Sequence, residues 1–436
     1  MPKKQSKVKL SLSSRGNKKE GGKEERLKGR FYSFGIFIIS FLLSSLPPFL
    51  LSSTAQTLSP QAKVSLITVS PGPELYSSFG HTALWISDPM YGLDRVYNYG
   101  TFDFRTGNFY IKFLRGTLPY ILSVHSMSAM IYASQEENRS VKEQILNLSA
   151  AQKQRIFELL ETNYRPENRE YRYKFYYDNC STRPRDMLAK TCGDSLRFLN
   201  VVDSTLSYRD WMNRYLTNQT WARMGMNLGI GYPADIQASS WQAMYLPDNV
   251  FDEAEKAQLK TADGKETPLV ANSLFLFRAT TADESNAFLT YLLSPDFFFA
   301  VLLVVVFLIT RRQRKRRENG FWLDRLLFGF VGVWGWFLVF LWFGTDHGVT
   351  TWNPALLFIM PLHIPLIFWV TRQRNPQTIR TYFLLTMVGL VAFFLYAFFQ
   401  DYLYGFTFFL LTLLFRAFYQ YRSASTQIAQ TSYVRS

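Results

Sequence analysis

The chain has 436 residues, enough for two domains, and carries a formal net charge of +15. Spread evenly, that charge would suggest a nucleic-acid partner. Instead, residues 1–30 hold 11 Lys and Arg against 3 Asp and Glu, residues 297–436 hold 13 against 4, and the middle is slightly acidic. The excess belongs to two membrane-associated ends, where basic residues mark the cytoplasmic side, and leaves no footprint for nucleic acid.

In chain order, a basic stretch from Lys3 to Arg30 leads into the apolar run Phe34–Leu46, which Pro47-Pro48 interrupts. Ser53-Thr54-Ala55 then offers a cleavage site, so residues 1–55 read as an export signal. The run falls short of the roughly 20 residues a spanning helix needs. Phe49-Leu50-Leu51 prolongs it, which leaves an uncleaved anchor as the alternative. No cysteine lies near the cleavage site, so this chain is not itself lipid-modified there.

Residues 56–290 read as an exported mixed α/β domain. Strand patterns cover Lys63–Val69, Ser78–Ser87 and Arg95–Phe102. Helical spacing covers Asn147–Asn163, with Ser149 as its cap, and a second helix runs from near Ser181 to just before Gly193. Pro184 suits that helix because it falls in the first turn, where its missing N–H costs little. Residues 291–422 read as a membrane domain and 423–436 as a cytoplasmic tail. Five spans are expected: Phe297–Thr310 (recruiting part of Asn286–Ser294), Leu326–Thr345, Trp352–Thr371, Tyr382–Gln400 and Tyr402–Tyr419. The loops Arg311–Arg325 and Arg372–Arg380 are basic, whereas those around Asp346 and Asp401 are not. That alternation places the exported domain outside and Arg311–Arg317 inside, as the leader also requires.

Chemistry concentrates on Cys180, one of two cysteines, and His81, one of four histidines. A thiol at a helix N-terminus is stabilised as thiolate by unpaired N–H groups and the helix dipole, and Arg183 and Arg185 add positive charge. A thiol nucleophile needs a base, for which His81 is the first candidate and His125 the second. The competing interpretation of Cys180 is a disulfide to Cys192, natural in an oxidising compartment. Twelve residues of helix rise about 18 Å, whereas bridged Cα atoms lie within about 7 Å, so a helix there forbids the bond. His81 alone is equally compatible with a hydrogen-bonded strand residue. As a base it needs a group that orients its ring, for which Asn98 is the first choice and Asp103 the second. Ser78, Gly80 and Asn179 complete the supporting set, with Gly80 permitting close approach by backbone or substrate. No clustered ligands predict a metal, and no cofactor is expected. Asp346-His347 reads as a solvated loop and His363, between two prolines, as a helix-packing residue. Phe109, Tyr110, Phe113 and Tyr120 are either a lipid-facing patch or core.

Five segments in order carry a resemblance: Ser77-Ser78-Phe79-Gly80-His81-Thr82-Ala83-Leu84, Val96 to Phe104, Asn108 to Gly116, Asn163 with Pro166 to Arg169, and Asp178 to Asp186. Together they resemble the Lnb-type lipoprotein N-acyltransferases of Bacteroidota, over most of residues 60–270 and, less specifically, the multi-span C-terminus. The resemblance implies an α+β permuted papain-like periplasmic domain followed by an all-α multi-span membrane domain, in the inner membrane. It implies Cys180 and His81 as a catalytic pair, a phospholipid acyl donor and a diacylglyceryl lipoprotein acceptor. Two readings compete: a membrane-anchored cysteine peptidase or amidase acting on cell-wall peptides with the same pair, and a non-enzymatic scaffold in which Cys180 is structural.

Overall fold

A computed structural model of the chain describes residues 56–261, 263–280, 287–316, 320–400 and 402–435. The expected leader, residues 1–55, lies outside the described residues. Strands β1 (Lys63–Val69), β2 (His81–Asp88), β3 (Leu93–Thr101), β4 (Pro119–His125), β5 (Val141–Leu146), β6 (Glu170–Arg172) and β7 (Val270–Phe277) form one antiparallel sheet. Its order is β7-β5-β1-β2-β3-β4-β6. The helix α1 (Phe109–Leu114) links β3 to β4.

Strand β1 is covered on both sides, and its period-two pattern distributes the two halves of the core. Val64 and Leu66 join Leu84, Ile86 and Tyr97 against helices α2 (Ala150–Tyr164) and α3 (Thr182–Cys192). Ile67 and Val69 face the other way, onto Met127 and Met130 of the helix Met127–Glu136. Ser149 caps α2 as expected, in a reciprocal box with Gln152. Strand β2 starts three residues later than its sequence pattern, because Gly80 turns the chain at φ +76°.

The second half is helical: α4 (Pro295–Arg316), α5 (Trp322–Phe343), α6 (His363–Gln373), α7 (Pro376–Phe398) and α8 (Thr407–Arg435). Helices α5 and α7 are each long and apolar enough to cross a membrane. Three expectations change here. The span expected at Trp352–Thr371 is not one helix, since Asn353 and Pro354 start a separate turn and only the 11-residue α6 follows, about 16 Å long. Segment 354–364 instead packs into its neighbours at glycines: a side chain on Gly335 would run into Ile359 O, and one on Gly389 into Leu357 O. The first span does not recruit the preceding segment, because Ser294-Pro295 separates α4 from the short helix Ala287–Leu292. The last helix runs on to Arg435 through the expected tail. His363 is buried with both ring nitrogens bonded, to Tyr382 and to Phe358 O, a packing residue as read.

Loop 344–352 is more than solvated. Asp346 bonds Arg172 and Lys174, its N–H donates to Arg115 O at 2.8 Å, and His347 Nε2 bonds Leu114 O at 2.9 Å. Deeper in the junction, Arg209 and Asp235 form a fully buried ion pair. The Tyr396 hydroxyl from α7 donates to Asp235, and the Arg209 guanidinium lies over the Tyr402 ring.

Removing one partner of a buried pair leaves an uncompensated charge, at a cost of about 3–5 kcal/mol, whereas an exposed pair contributes about 1 kcal/mol or less. Arg209→Ala should therefore lower the thermal unfolding midpoint sharply, and Arg172→Ala barely. Thermal scans of both variants in detergent, beside the unaltered chain, check this.

Candidate active site

Two local structures bring residue 180 to residue 81. The first is the start of α3. Asn179 is buried, and its Oδ1 accepts from the N–H groups of Ser181 and Thr182 at 2.8 and 2.9 Å. Its Nδ2 donates to Phe175 O and Tyr245 O at 2.7 and 2.8 Å, while its own N–H is returned to Thr182 Oγ1. Every polar group of this side chain is used, so the turn that carries Cys180 into the helix is fixed. The second is the start of β2, where the Thr82 and Ser181 hydroxyls lie 3.1 Å apart and tie strand to helix.

The sheet register orients the imidazole. Leu84 pairs with Tyr97 and Trp85 with Val96; extended to the start of β2, that register sets His81 across from Gly100 and diagonal to Asn98. His81 Nε2 lies 3.1 Å from Asn98 Oδ1. Asn98 Nδ2 donates to Val96 O at 3.1 Å and to His125 Nε2 at 2.7 Å. His125 Nδ1 lies 3.3 Å from Ser126 O, so its proton sits there and Nε2 is the acceptor. The donors and acceptors then run in one direction: Asn98 must present oxygen to His81, His81 must carry its proton on Nε2, and Nδ1 is left to the thiol.

The pair is electrostatically matched. Burial opposes the Cys180 thiolate, but the His81 charge and hydrogen bonds from His81, the Thr82 N–H and the Ser181 hydroxyl outweigh it. The thiol therefore sits below its ordinary value. Burial likewise opposes the His81 imidazolium, yet the Cys180 charge and bonds with Cys180 and Asn98 raise it above the ordinary histidine value, against Arg139. Cys192 is the contrast: free and buried at the far end of α3, its thiol is pushed up to about 11 by burial.

The supporting residues divide. Asp103, the second choice to orient His81, does not do so: it is exposed and its carboxylate is held by Arg105. The loop after β3 swings it outward, which sequence spacing does not reveal. Arg183 is bidentate with Asp178 and lies 3.5 Å over the Tyr171 ring, and Arg185 bonds Asp186 and Trp241 O. Both brace the helix rather than the thiol. Ser78 accepts from Gln219 and donates to Glu74 O. A Cβ on Gly80 would meet Val69 O at 2.8 Å, so the close approach there is by backbone.

Three residues belong to the site that the sequence did not single out for these roles. His125 is a partner of Asn98, not a rival base; strand pairing of β3 with β4 puts it there, opposite Val96. Gly100, at φ +88°, leaves room for the thiol: a Cβ would lie 3.4 Å from that of Cys180 and 3.3 Å from the Tyr173 ring. Tyr173 hydrogen-bonds Cys180, and burial together with the thiolate charge holds its phenol well above the ordinary value, so it stays a donor. Among the described residues no group of His, Cys, Asp and Glu is placed to hold a metal ion.

Two family models match the chain. One, described as the Lnb N-terminal periplasmic domain, covers residues 52–214, and the other, described as the Lnb transmembrane domain, covers residues 284–427. No curated protein and no solved structure matches it. His81, Asn98 and Cys180 all fall in the first match.

Thiol reactivity reads this geometry directly. In the native protein Cys180 should alkylate at pH values well below the ordinary thiol range of about 8.5, losing rate as pH falls through its depressed value. His81→Ala removes the stabilising charge and should slow alkylation at pH 7 by about tenfold or more, since each unit of pKa is a factor of ten in thiolate. Asn98→Ala should act in the same direction, Asp103→Ala should not, and Cys192 should label only on unfolding. Iodoacetamide rates against pH, followed by peptide mass spectrometry, check all five.

Proposed function

Since the chain belongs to the Lnb family of lipoprotein N-acyltransferases, we propose that Cys180 and His81 carry out the transfer through a thioester. In the first half-reaction Sγ attacks the ester carbonyl of a membrane phospholipid. The C–O bond breaks, and the lysophospholipid hydroxyl leaves with the proton that His81 held. In the second, the α-amine of a diacylglyceryl-cysteine lipoprotein attacks the thioester carbonyl. The C–S bond breaks, and the amine proton returns through His81 to the thiolate. Asn98 keeps Nδ1 of His81 aimed at sulfur in both halves, and Tyr173 is a donor available to the developing oxyanion.

The single observation that carries this reading is the matched pair: a thiol held below and an imidazole held above their ordinary values, in mutual contact. The order of parts supports a permuted papain-like fold, with the histidine strand preceding a helix whose N-terminus bears the cysteine. The membrane setting supports a lipid donor over a cell-wall peptide, because loop 344–352 is bonded to the same sheet region that leads to Cys180. We read the protein as a multi-pass inner-membrane enzyme with residues 56–290 in the periplasm, after a cleaved or retained N-terminal signal. Basic residues at the ends of α4 and α6 mark the cytoplasmic side, and loop 344–352 lies with the catalytic domain.

A nucleophile that divides transfer into two steps gives a covalent intermediate. Purified protein incubated with phospholipid vesicles at neutral pH should gain the mass of one fatty acyl group on Cys180, labile to hydroxylamine. His81→Ala should slow this gain by 10²–10⁴-fold, roughly the usual contribution of a general base. Intact-mass analysis after rapid quench makes the measurement. Transfer to lipoprotein without any such adduct would refute the thioester route.

A further inference from the structure

The thiol lies at one end of a continuous series of aromatic rings. Tyr173, beside Cys180, stacks on Tyr120 with centroids 4.6 Å apart. Tyr120 meets Phe102 at 5.5 Å, and Phe102 meets Phe109 of α1 at 5.9 Å. Phe109 then stacks on Phe113 at 6.2 Å, with the planes 11° apart. The series ends on an exposed surface: Phe104, Tyr110 and Phe113 are 66%, 80% and 54% exposed. Six-residue α1 thus turns nearly all its apolar side chains to the outside, which soluble surfaces do not do without a partner.

The fold supplies the partner through position. The C-terminal end of α1 is bonded to Asp346 and His347, three and four residues beyond the end of membrane-spanning α5. The end of that helix carries Trp342, stacked on Phe343 and tilted against Trp352, with Phe343 and Trp352 largely exposed. Exposed aromatic residues at a helix end mark the headgroup level of a bilayer. Helix α1 therefore sits at that level, with Lys112 and Arg115 beside its apolar side chains, where lipid phosphates lie. A second copy of the chain or a peptide would not need cations at that depth.

We propose that α1 dips into the outer face of the bilayer and that the ring series from Phe109 through Phe102 and Tyr120 to Tyr173 guides one acyl chain of a glycerophospholipid to Cys180. This rests on the thioester reading for its destination, but not for the membrane contact of α1. Aromatic faces bind a chain of methylenes without preference for its length or unsaturation, so the site should accept a range of acyl groups.

Two measurements on the full chain in phosphatidylethanolamine and phosphatidylglycerol vesicles test it. With p-benzoylphenylalanine at position 110, irradiation should yield protein carrying the mass of a vesicle lipid. The same residue at position 132, also exposed (65%) but beyond the far end of β4, should not. The triple variant Phe104→Ser, Tyr110→Ser, Phe113→Ser should load Cys180 from vesicles at least tenfold more slowly, with iodoacetamide alkylation of Cys180 at the unaltered rate. No lipid adduct at 110, a protein–protein crosslink in its place, or loading by the triple variant at the unaltered rate would overturn the proposal. If the unaltered chain itself takes up no acyl group, the thioester reading fails, and the crosslink alone decides the surface.

Discussion

The site depends on one constraint, the complete use of hydrogen-bonding capacity at Asn179 and Asn98. A buried amide left with a free donor or acceptor costs on the order of 1–3 kcal/mol. Asn179 avoids this only when the chain before α3 takes the turn that presents Cys180, and Asn98 only when its oxygen faces His81. The two amides hold the thiol and the imidazole from opposite sides, one through a helix start and one through a sheet. Charge does the rest, since thiolate and imidazolium each stabilise the other in a half-buried setting.

The membrane half acts on this site through attachment. The buried Arg209–Asp235 pair and its contacts with Tyr396 and Tyr402 join the periplasmic domain to the helices. The Asp346 contacts join it a second time, beside α1. Two attachments fix orientation where one would leave a hinge. On the proposed reading, with a donor in the bilayer and an acceptor tethered to it, a fixed height replaces a search in three dimensions by positioning.

Much of this was legible in the sequence where signals are local. Strand β1, the Ser149 cap and the extent of α3 follow from periodicity and capping chemistry alone. That Cys180, His81 and Asn98 come together was legible because thiols and imidazoles are scarce in this chain and Asn98 lies on the adjoining strand. What was not legible depends on pairing across the sheet. His125 looked like a competing base until β4 set it against Asn98, and Gly100 and Tyr173 acquire meaning only from the position of Cys180. Asp103 failed for the opposite reason: nearness in sequence to Asn98 is undone by a turn. In the helical half, composition found an apolar segment at 352–371 but not its break, because apolar content is blind to prolines that divide a helix and to glycines that let the pieces pack.

Whether the thiol of Cys180 passes an acyl group to lipoprotein amines is read on the lipoproteins themselves. Cells lacking the protein are supplied with either the unaltered chain or Cys180→Ser, matched for level, and N-terminal lipoprotein peptides are weighed by mass spectrometry. N-acylated peptides are expected with the unaltered chain, and only the free-amine diacyl form with Cys180→Ser. N-acylated peptides at equal abundance in both would contradict transfer through Cys180.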